Sequence, residues 1–562
     1  MKSFFPILNW LPKYKKKYFF YDFLAGINVG IILIPQGMAY ALIAGLPPIY
    51  GLYAALVPQI VYAVLGTSRQ LAVGPVAIDS LIVASSLGIM AFSNPEEYIL
   101  MAISLAFIVG SFQLIMASFK LSFIVTFLSK PIISGFVSAI AIIIGFSQLK
   151  FLFGISISES NLIKDVLLNV INSIDKINIP TLCLGLFSIL IIIFIKKKTP
   201  KFPIYFVMLI SGIVISYLFN LNKIGIDILG NIPKGLPEFK IPILTYDTIT
   251  DLFTIALTLA IIGYIEAISI AKKLEEKHKY YKINPNQELL ALGMSNLIGS
   301  FFQSFPVTGG FSRSAVNDES GAKSGISAII SSIIVGITII FFTSYLFYLP
   351  KAILSSIIIV AVFNLIDYKF PIKLMSNNKD EFLLLTITFL FTIFSGIKEG
   401  IIIGLFTSIL IVVSRFKNGN LSIKKKIRLL INYKKIISLS KKHKKRNDIL
   451  ILHVKGQLFY GNLNYFKSFI KKETSSNSNF LKALVLDIKD LYYIDSSGSD
   501  TFCKIIKKLN KMNIRVMISS FTENKKDFKF DKNLIDCIKR NNLFISINNA
   551  LENFNISNKK SI

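Results

Sequence analysis

The sequence predicts an α-helical membrane domain with many spans, followed by a small cytoplasmic α/β domain. Three observations predict it: the apolar residues come in long blocks, basic clusters separate those blocks, and the C-terminal part alternates between strand-like and helix-like patterns. Of the 562 residues, 53% are hydrophobic, which is more than soluble domains usually contain.

The apolar blocks are long enough, or nearly so, to cross a bilayer as helices, which takes about 20 mostly apolar residues. Four examples are DFLAGINVGIILIPQGMAYALIAGL, YILMAISLAFIVGSFQLIMASF, IPTLCLGLFSILIIIFI and EFLLLTITFLFTIFSGI. The first block follows the basic stretch KYKKK, as in a signal peptide, but it exceeds the roughly 7–15 apolar residues of such a region. We therefore interpret it as the first of several spans.

Basic clusters set the expected topology. They lie at 13–17, 196–201, 271–282 and 415–446, and the positive-inside bias places them in the cytoplasm. Each interval between clusters must then hold an even number of crossings, which gives about fourteen spans with both termini cytoplasmic. We expect the inner (cytoplasmic) membrane of the cell. The net charge of +30 reflects lysine abundance along the whole chain, so we do not expect nucleic-acid binding.

The C-terminal part changes character after Arg415. A basic connector precedes DILILHVKG, KALVLDIKD and NIRVMISS, which read as strands, and these alternate with NLNYFKSFIKKE and SGSDTFCKIIKKLNKM, which read as helices. Such alternation predicts an α/β domain. The predicted divisions are a cytoplasmic N-terminus at 1–20, a transmembrane domain at 21–416, a basic linker at 417–446 and the α/β domain at 447–562.

Cysteine and histidine usage predicts neither a metal site nor a disulfide framework. The cysteines Cys183, Cys503 and Cys537 have no suitable spacing, and the three histidines are scattered. The pattern therefore gives no reason to expect a metal or another cofactor.

Two segments, 66–89 and 305–321, carry helix-breaking residues inside apolar surroundings. Pro75 cannot donate a backbone hydrogen bond, and Gly309 and Gly310 favour non-helical backbone. Backbone left unpaired at membrane depth is tolerated only where protein or water satisfies it. One such break in each half of a membrane domain is typical of inverted-repeat transporters, with the substrate site between the breaks.

The second break is followed by a charge, Arg313. Two half-helices that face one another would each offer free N–H groups and about half a positive charge. Aligned by hand, Val76 falls opposite Phe311 and Ala77 opposite Ser312. We expect an anion site between these N-termini, with Arg313 behind one of them. The alternative is a structural ion pair of Arg313 with Glu266 or Asp318.

Further polar residues lie within predicted spans. Glu266 stands in the middle of an apolar run, and a desolvated carboxylate can carry a proton; alternatively, it lies near the cytoplasmic end and bonds to a loop. Gln36 and Tyr40 are four residues apart and share a helix face. A cavity or a neighbouring helix would equally well supply the partner that Gln36 needs.

These residues resemble those of the sulfate permease (SulP) family of anion transporters. The resemblance is carried by PQGMAYALIAGLPPIYGLYAALVPQIVYAVLGTSRQLAVGPVA and SFPVTGGFSRSAVN, and by ILHVKGQLFYGN with ALVLDIKDLYYIDSSG, which is similar to the STAS domain of that family. It implies an inverted repeat of about seven plus seven spans in core and gate domains, elevator-like movement of the core, and a homodimer.

The resemblance also implies site residues. The substrate site would comprise Gln36 and Tyr40 from the first span and Val76, Ala77, Phe311, Ser312 and Arg313 from the half-helices. Many relatives have an aromatic residue where this chain has Val76, so that wall of the site would be roomier here. Glu266 matches an acidic position in the eighth span. Sodium-coupled members have Asp there and Thr one turn later, whereas this chain has Glu and Ile270, which favours protons over sodium.

The sequence DSSG (495–498) matches the loop in which related bacterial STAS proteins are phosphorylated on serine. Ser496 and Ser497 are therefore candidate phosphorylation sites. The alternative is helix capping, because Asp or Ser before a helix accepts the N–H groups of its first turn. In this family the domain is more often regulatory or contributes to dimer contacts.

Together these observations predict a secondary transporter, not an enzyme, that takes up an inorganic anion, with sulfate by proton symport as the favoured activity. Bicarbonate or dicarboxylate transport and anion exchange are alternatives within the family. A membrane-anchored STAS signalling module and a nucleobase carrier are alternatives from outside it. The nucleobase reading would need a carboxylate beside the second half-helix, and the first one after the break is Asp318.

Overall fold

The computed structural model describes residues 5–559, apart from gaps at 123–128, 156–162, 231–234, 415–436, 440–447, 477–480, 521–534 and short positions at 89, 91, 93, 200–201, 203, 279, 364–365, 460, 536 and 539–541. The predicted linker 417–446 lies outside the described residues except for Ile437–Leu439. The chain forms two compact units. The first comprises residues 1–125, 137–366 and 390–400, and the second comprises residues 126–136, 367–389 and 401–562.

Helices dominate the described residues before 415. In chain order they are α1 (Ile7–Trp10), α2 (Lys16–Ile43), α3 (Pro48–Ala54), α4 (Val57–Leu65), α5 (Ala77–Leu87), α6 (Pro95–Ser118), α7 (Lys130–Ser147), α8 (Leu149–Phe153), α9 (Ile163–Asn172), α10 (Ile179–Lys198), α11 (Ile204–Phe219), α12 (Tyr246–His278), α13 (Pro285–Phe301), α14 (Phe311–Glu319), α15 (Ile326–Ile337), α16 (Thr343–Leu346), α17 (Lys351–Phe363), α18 (Lys369–Asn377), α19 (Lys379–Phe394) and α20 (Ile397–Ser414). Two short strands interrupt them, β1 (Val73–Gly74) and β2 (Thr308–Gly309).

Seven helical segments among the described residues are long and apolar enough to cross a membrane. They are Lys16–Ile43, Pro48–Leu65, Pro95–Ser118, Lys130–Phe153, Ile179–Lys198, Tyr246–Glu275 and Ile326–Leu346. Shorter apolar helices add Ala77–Leu87, Ile204–Phe219 and Lys351–Phe363. The chain is thus a multi-pass helical membrane protein, while the total of about fourteen spans stays a prediction.

Small residues let the helices of the first unit approach closely, as in other membrane bundles. On α6, a Cβ added to Gly110 would lie 2.6 Å from the backbone nitrogen of Leu297 and 2.7 Å from the carbonyl oxygen of Gly293, both on α13. Any larger residue at 110 would therefore push α6 and α13 apart. These two helices border the residues of the interrupted segments described below.

The C-terminal domain is built on a four-stranded sheet of order β3-β4-β6-β8. Its strands are β3 (Ile437–Leu439), β4 (Ile449–Val454), β6 (Ala483–Asp487) and β8 (Arg515–Ser519), and a separate parallel pair is formed by β5 (Gly456–Leu458) and β7 (Leu491–Ile494). Strands β4, β6 and β8 are parallel, and β3 is antiparallel to β4. The three predicted strands and two predicted helices are confirmed. Strand β3 was not predicted, because it lies within the stretch assigned to the linker.

Helices cover both faces of this sheet. Alternate residues of a strand point to opposite faces, so Leu450 and Leu452 pack on the side of α21 (Leu463–Ser476) and α22 (Ser496–Asn510). Ile449 and Ile451 pack on the side of α23 (Ile547–Lys559). The near-continuous apolar run of β4 follows from burial on both faces.

Candidate functional site

The two interrupted segments meet. Strands β1 and β2 pair antiparallel, with Val73 opposite Gly309 and Gly74 opposite Thr308. The N–H of Gly310 donates to the carbonyl oxygen of Ala72 at 2.9 Å, which extends the pair by one bond. Some of the backbone groups that each break leaves out of a helix are therefore satisfied by the other break.

Helices α5 and α14 begin directly after this strand pair, at Ala77 and Phe311. Because the strands run in opposite directions, the two helices leave the pair at opposite ends and keep their N-termini beside it. The preceding residues, Val76 and Gly310, provide no side-chain cap. Counted from the strands, Val76 corresponds to Phe311 and Ala77 to Ser312, as in the alignment made by hand. Counted from the helix starts, Val76 corresponds to Gly310, because two residues separate β1 from α5 and only one separates β2 from α14.

Buried side chains fix the strand pair in place. Asn296 on α13 binds both backbone groups of Val307, accepting from its N–H at 2.8 Å and donating to its carbonyl at 3.0 Å. The hydroxyl of Thr308 donates to the carbonyl of Gly263 on α12 at 2.5 Å. From α14, Ser314 accepts from the N–H of Ala72 at 2.9 Å. The site therefore stands on rigid helices on either side.

Arg313 is 1% exposed and points back toward the strand pair. Its Nη1 donates to the carbonyl oxygen of Pro75 at 2.8 Å, across the two breaks. Its Nε and Nη2 are buried and have no hydrogen-bond partner among the described residues. The guanidinium therefore keeps two donors available beside the N-termini of both half-helices.

The predicted alternative, an ion pair of Arg313 with Asp318, is wrong. Asp318 instead pairs with Lys277 and His278 at the end of α12. Arg313 and Glu266 interact electrostatically, but no ion pair closer than 4.0 Å joins them in the described part of the chain. Asp318, the first carboxylate after the second break, is therefore engaged at the end of α12.

The glycines before α14 have a packing reason. A Cβ added to Gly310 would lie 2.6 Å from both Cζ and Nη2 of Arg313. A Cβ on Gly309 would lie 2.9 Å from Leu71 Cδ1 and 3.1 Å from the Cα of Ala267. Position 310 must therefore lack a side chain if the guanidinium is to fold back over the helix start.

Gln36 and Tyr40 lie on α2 and are both buried. Gln36 is 2% exposed, and neither its amide nitrogen nor its amide oxygen has a hydrogen-bond partner among the described residues. Buried amides are normally satisfied, so this side chain has capacity for a ligand. Tyr40 is close enough to Arg313 and Glu266 to interact with their charges.

The half-helix residues differ in exposure. Val76 and Ala77 are buried, whereas Ser312 is exposed and Phe311 is 48% exposed. The ammonium of Lys273 lies 4.6 Å from the ring centroid of Phe311, within the range of a cation–π contact. Phe311 is thus partly open to solvent at the start of α14, with Lys273 against its ring.

Glu266 lies on α12, and its Oε2 is buried without a hydrogen-bond partner among the described residues. The nearest following lysine, Lys272, pairs with Glu275 at 2.9 Å and not with Glu266. The alternative of a structural bond to a loop therefore finds no support at this oxygen. Ile270 follows one turn later and offers no oxygen to a cation.

Sequence reasoning missed one residue here, Asp79. It lies in the first turn of α5 and is 2% exposed. The signal that could have found it is a charge inside the apolar run VAIDSLIVASS, which is as unusual as Arg313 in its own segment.

The DSSG loop forms a helix start. The carboxylate of Asp495 accepts from the N–H of Gly498 at 2.5 Å and caps α22, so the predicted cap is confirmed. The N–H of Ser496 donates to Oε1 of Glu381 on α19 at 2.9 Å. Glu381 was not predicted as a partner of this loop. No cluster of three His, Cys, Asp or Glu side chains suited to a metal occurs in the described part of the chain.

Paired breaks that end in facing helix starts, with a buried arginine beside them, indicate the class of this protein: a membrane transport protein with interrupted helices. Residues 19–388 match the sulfate permease family and residues 440–530 match the STAS domain. The chain belongs to the sulfate permease family, and the resemblance noted from its motifs is confirmed. It is therefore an anion transporter with a C-terminal STAS domain, and not an enzyme.

Similar proteins extend over nearly the whole chain. Chloroplastic sulfate transporter 4.1 of Arabidopsis thaliana is 35% identical over 536 residues, which cover 92% of this chain and 77% of that protein. The sodium-independent sulfate anion transporter of Bos taurus is 34% identical over 449 residues, 74% of this chain and 72% of that protein. The solved structure of murine solute carrier 26 family member A9, an anion transporter in the inward-facing state, superposes with a TM-score of 0.71 at 26% identity, covering 98% of this chain and 94% of that one.

Proposed function

We propose that this protein takes up sulfate by proton symport, with the anion bound between the N-termini of α5 and α14. The observation that carries the proposal is the Arg313 guanidinium, which is buried but keeps Nε and Nη2 without a partner among the described residues. A buried, unsatisfied charge is costly. An oxyanion at this position would accept from both donors and offset that cost.

Gln36, Tyr40, Val76, Ala77, Phe311 and Ser312 complete the proposed substrate site. The Gln36 amide would donate to an anion oxygen, and the Tyr40 hydroxyl can do the same. The backbone N–H groups at the starts of the two half-helices add their partial positive charges. Sulfate, with four oxygens and two charges, uses all of these donors.

Glu266 is the proposed proton carrier. Its buried Oε2 and its electrostatic interaction with Arg313 support the role, because the state of this carboxylate changes the charge that the anion meets. Ile270 supplies no ligand for sodium, which supports protons as the coupling ion. The similarity to a sodium-independent sulfate transporter agrees with this choice.

The test is uptake of labelled sulfate into proteoliposomes with and without inward proton and sodium gradients. We expect accumulation with the proton gradient alone, and Glu266→Gln is expected to keep exchange while losing accumulation. A competition panel with bicarbonate and dicarboxylates distinguishes sulfate transport from the family alternatives. Uptake of one of those anions but not of sulfate would contradict the substrate assignment.

Arg313→Lys tests the site itself. Lysine keeps the charge but not the planar fork that reaches both Pro75 and an anion, so we expect at least tenfold weaker sulfate uptake, corresponding to a charge-assisted hydrogen bond of about 1.5–3 kcal/mol. Arg69→Lys is the matched control, since Arg69 stacks over Tyr280 and Tyr281 instead. A membrane-anchored signalling module would instead lose function on deletion of the residues after 446 and be insensitive to Arg313.

We further propose the inner membrane, cytoplasmic termini, about fourteen spans in a seven-plus-seven repeat with core and gate domains, and a homodimer. The basic clusters support the orientation, and the family supports the repeat and the dimer. Protease protection of the C-terminal domain in oriented vesicles tests the cytoplasmic position of the C-terminus. Light scattering of the purified protein tests the homodimer.

A further inference from the structure

Asp79 is a buried carboxylate that the proposed function does not use. It lies in the first turn of α5, one of the two half-helices, and is 2% exposed. Its Oδ1 is buried and has no hydrogen-bond partner among the described residues. Buried polar groups without partners are uncommon in folded proteins and call for an explanation.

Two other buried carboxylates in the same unit, those of Asp22 and Glu288, accept several hydrogen bonds each. Asp22 accepts from the hydroxyl groups of Tyr14 and Ser324 and from the N–H groups of Lys323 and Ser324, at 2.6–3.0 Å. Glu288 accepts from Tyr62, Thr67 and Ser68. These two carboxylates stabilise the fold by accepting hydrogen bonds from several donors. The Oδ1 of Asp79, by contrast, accepts none among the described residues.

Asp79 faces the helix that carries Glu266. Its Oδ2 lies 3.4 Å from where a Cβ on Gly263 would be, so the carboxylate rests against α12 one turn before Glu266. The two carboxylates are close enough for their charges to interact. Glu266 also keeps a buried oxygen without a partner among the described residues.

The other elements packed against α5 bring few further charges. Arg313 on α14 and Tyr40 on α2 lie within electrostatic range of Glu266, and α6 carries its acidic residues Glu96 and Glu97 in its exposed first turn. Lys273 on α12 lies 4.6 Å from the ring centroid of Phe311, but it is exposed, so solvent screens its charge. Among the described residues, the buried charges near the proposed anion are therefore Asp79, Glu266 and Arg313, together with the two helix starts.

These charges balance in only one way for a divalent anion. Each helix start contributes about half a positive charge, so the two starts and Arg313 supply about two positive charges. With the site empty, ionised Asp79 and Glu266 neutralise them. With a dianion bound, neutrality requires that both carboxylates carry a proton, because like charges at short range in a low-dielectric site repel strongly.

We propose that Asp79 and Glu266 are a pair of proton acceptors that carry two protons together with one sulfate, so that the loaded and the empty site are both neutral. The inference rests on the proposed function and deepens it. Each carboxylate takes one proton from the water on the uptake side as sulfate binds, and returns it on the opposite side as sulfate leaves. One complete cycle thus moves two protons and one sulfate dianion and transfers no net charge.

The experiment is a flux-reversal measurement in proteoliposomes that contain the full chain. Labelled sulfate flux is recorded at set sulfate, proton and voltage gradients, and the gradients at which it stops give the proton-to-sulfate ratio. We expect two for the wild type, with no response to voltage. For Asp79→Asn we expect a ratio of one, with accumulation changing about tenfold for each 60 mV of potential because one negative charge now moves per cycle.

Controls separate this role from a structural one. Asp251→Asn removes an exposed carboxylate from the same helix as Glu266 and is expected to keep the wild-type ratio. Asp79→Glu, which keeps the carboxylate, is expected to restore the ratio of two even if Asp79→Asn is inactive. A wild-type ratio other than two, or a voltage-independent ratio of two in Asp79→Asn, would overturn the pair while leaving proton symport intact. Absence of any proton-driven sulfate uptake in the wild type would overturn the proposed function and the pair together.

Discussion

The backbone N–H of Ser496 donates a hydrogen bond to the side-chain carboxylate of Glu381 at 2.9 Å. Glu381 lies on α19, within the residues that match the sulfate permease family, and Ser496 begins helix α22 of the STAS domain. Asn378 donates to the same carboxylate oxygen at 3.0 Å, and Tyr493 lies 3.4 Å from it. Glu381 is only 5% exposed. Through this buried side chain, α19 caps a helix of the STAS domain.

Glu381→Ala is expected to loosen the start of α22. The substitution removes a charged acceptor from a helix N-terminus, which corresponds to about 1–3 kcal/mol. Amide hydrogen exchange at 496–498 should therefore accelerate roughly tenfold or more. Glu381→Gln keeps an acceptor oxygen and should lie between the wild type and Glu381→Ala. Equal exchange rates in all three proteins would show that the bond contributes nothing to the helix.

A negative charge at Ser496 should release the same contact. The Ser496 hydroxyl is buried and has no partner among the described residues, and a phosphate there would meet the Glu381 carboxylate and be repelled by it. We expect Ser496→Asp to accelerate exchange at 496–498 as much as Glu381→Ala does, and the double variant to add little. Ser497→Asp serves as the comparison, since Ser497 is the other candidate phosphorylation site.

Gly310→Ala should weaken anion binding without unfolding the protein. The added methyl group would lie 2.6 Å from the Arg313 guanidinium, which must then swing away from Pro75. We expect a rise of at least tenfold in the sulfate concentration for half-maximal uptake. Gly145→Ala is the matched control, because a Cβ at that helical position meets nothing within 4 Å. An unchanged sulfate dependence in Gly310→Ala would contradict the assigned position of the anion.

Asp487 should make the STAS domain sensitive to acid. Burial alone would raise the pKa of Asp487, but hydrogen bonds from Ser520 and His453, and from the N–H of Lys489, hold that pKa below its ordinary value. A lowered pKa in the folded state stabilises the domain above the ordinary aspartate value of about 4, and this stability is lost as the pH falls below it.

Asp487→Asn tests this expectation. The full chain is unfolded in urea, and hydrogen exchange of the amides of β6 reports the unfolding of the STAS domain. At pH 7 the variant should be destabilised by about 1–3 kcal/mol relative to the wild type. The difference should shrink as the pH is lowered to 3, because the wild-type carboxyl then also becomes neutral. A difference that stays constant over this range would point to packing instead of charge.

The sequence was sufficient to predict the interrupted helices because proline and glycine act locally on the backbone. Pro75 cannot donate a backbone hydrogen bond and Gly310 favours non-helical backbone, and each lies at one of the two breaks. The same holds for the Asp495 cap and for the alternation of strands and helices in the STAS domain. Local chemistry determined these features, and the structure agrees with them.

Contacts between distant positions could not be predicted in this way. The bond from Arg313 to Pro75 joins positions 238 apart, and that from Ser496 to Glu381 joins positions 115 apart. No periodicity reports such a pairing. For this reason the sequence suggested Glu266 or Asp318 as alternative partners of Arg313 and did not suggest Pro75. Asp79 was not predicted as a site residue, because its proximity to Glu266 depends on the packing of α12 against α5.

The strand pair at the site is only two residues long on each side and joins the two halves of the membrane part. In a nascent chain that ends before Thr308, β1 lacks its partner strand β2. Such a chain also lacks Arg313, whose guanidinium bonds to Pro75 in the complete protein. Neither half alone can assemble the pocket, and a ligand cannot stabilise one half before the other exists. Sulfate should consequently stabilise the full-length protein against heat and protease and have no such effect on chains that end before Thr308.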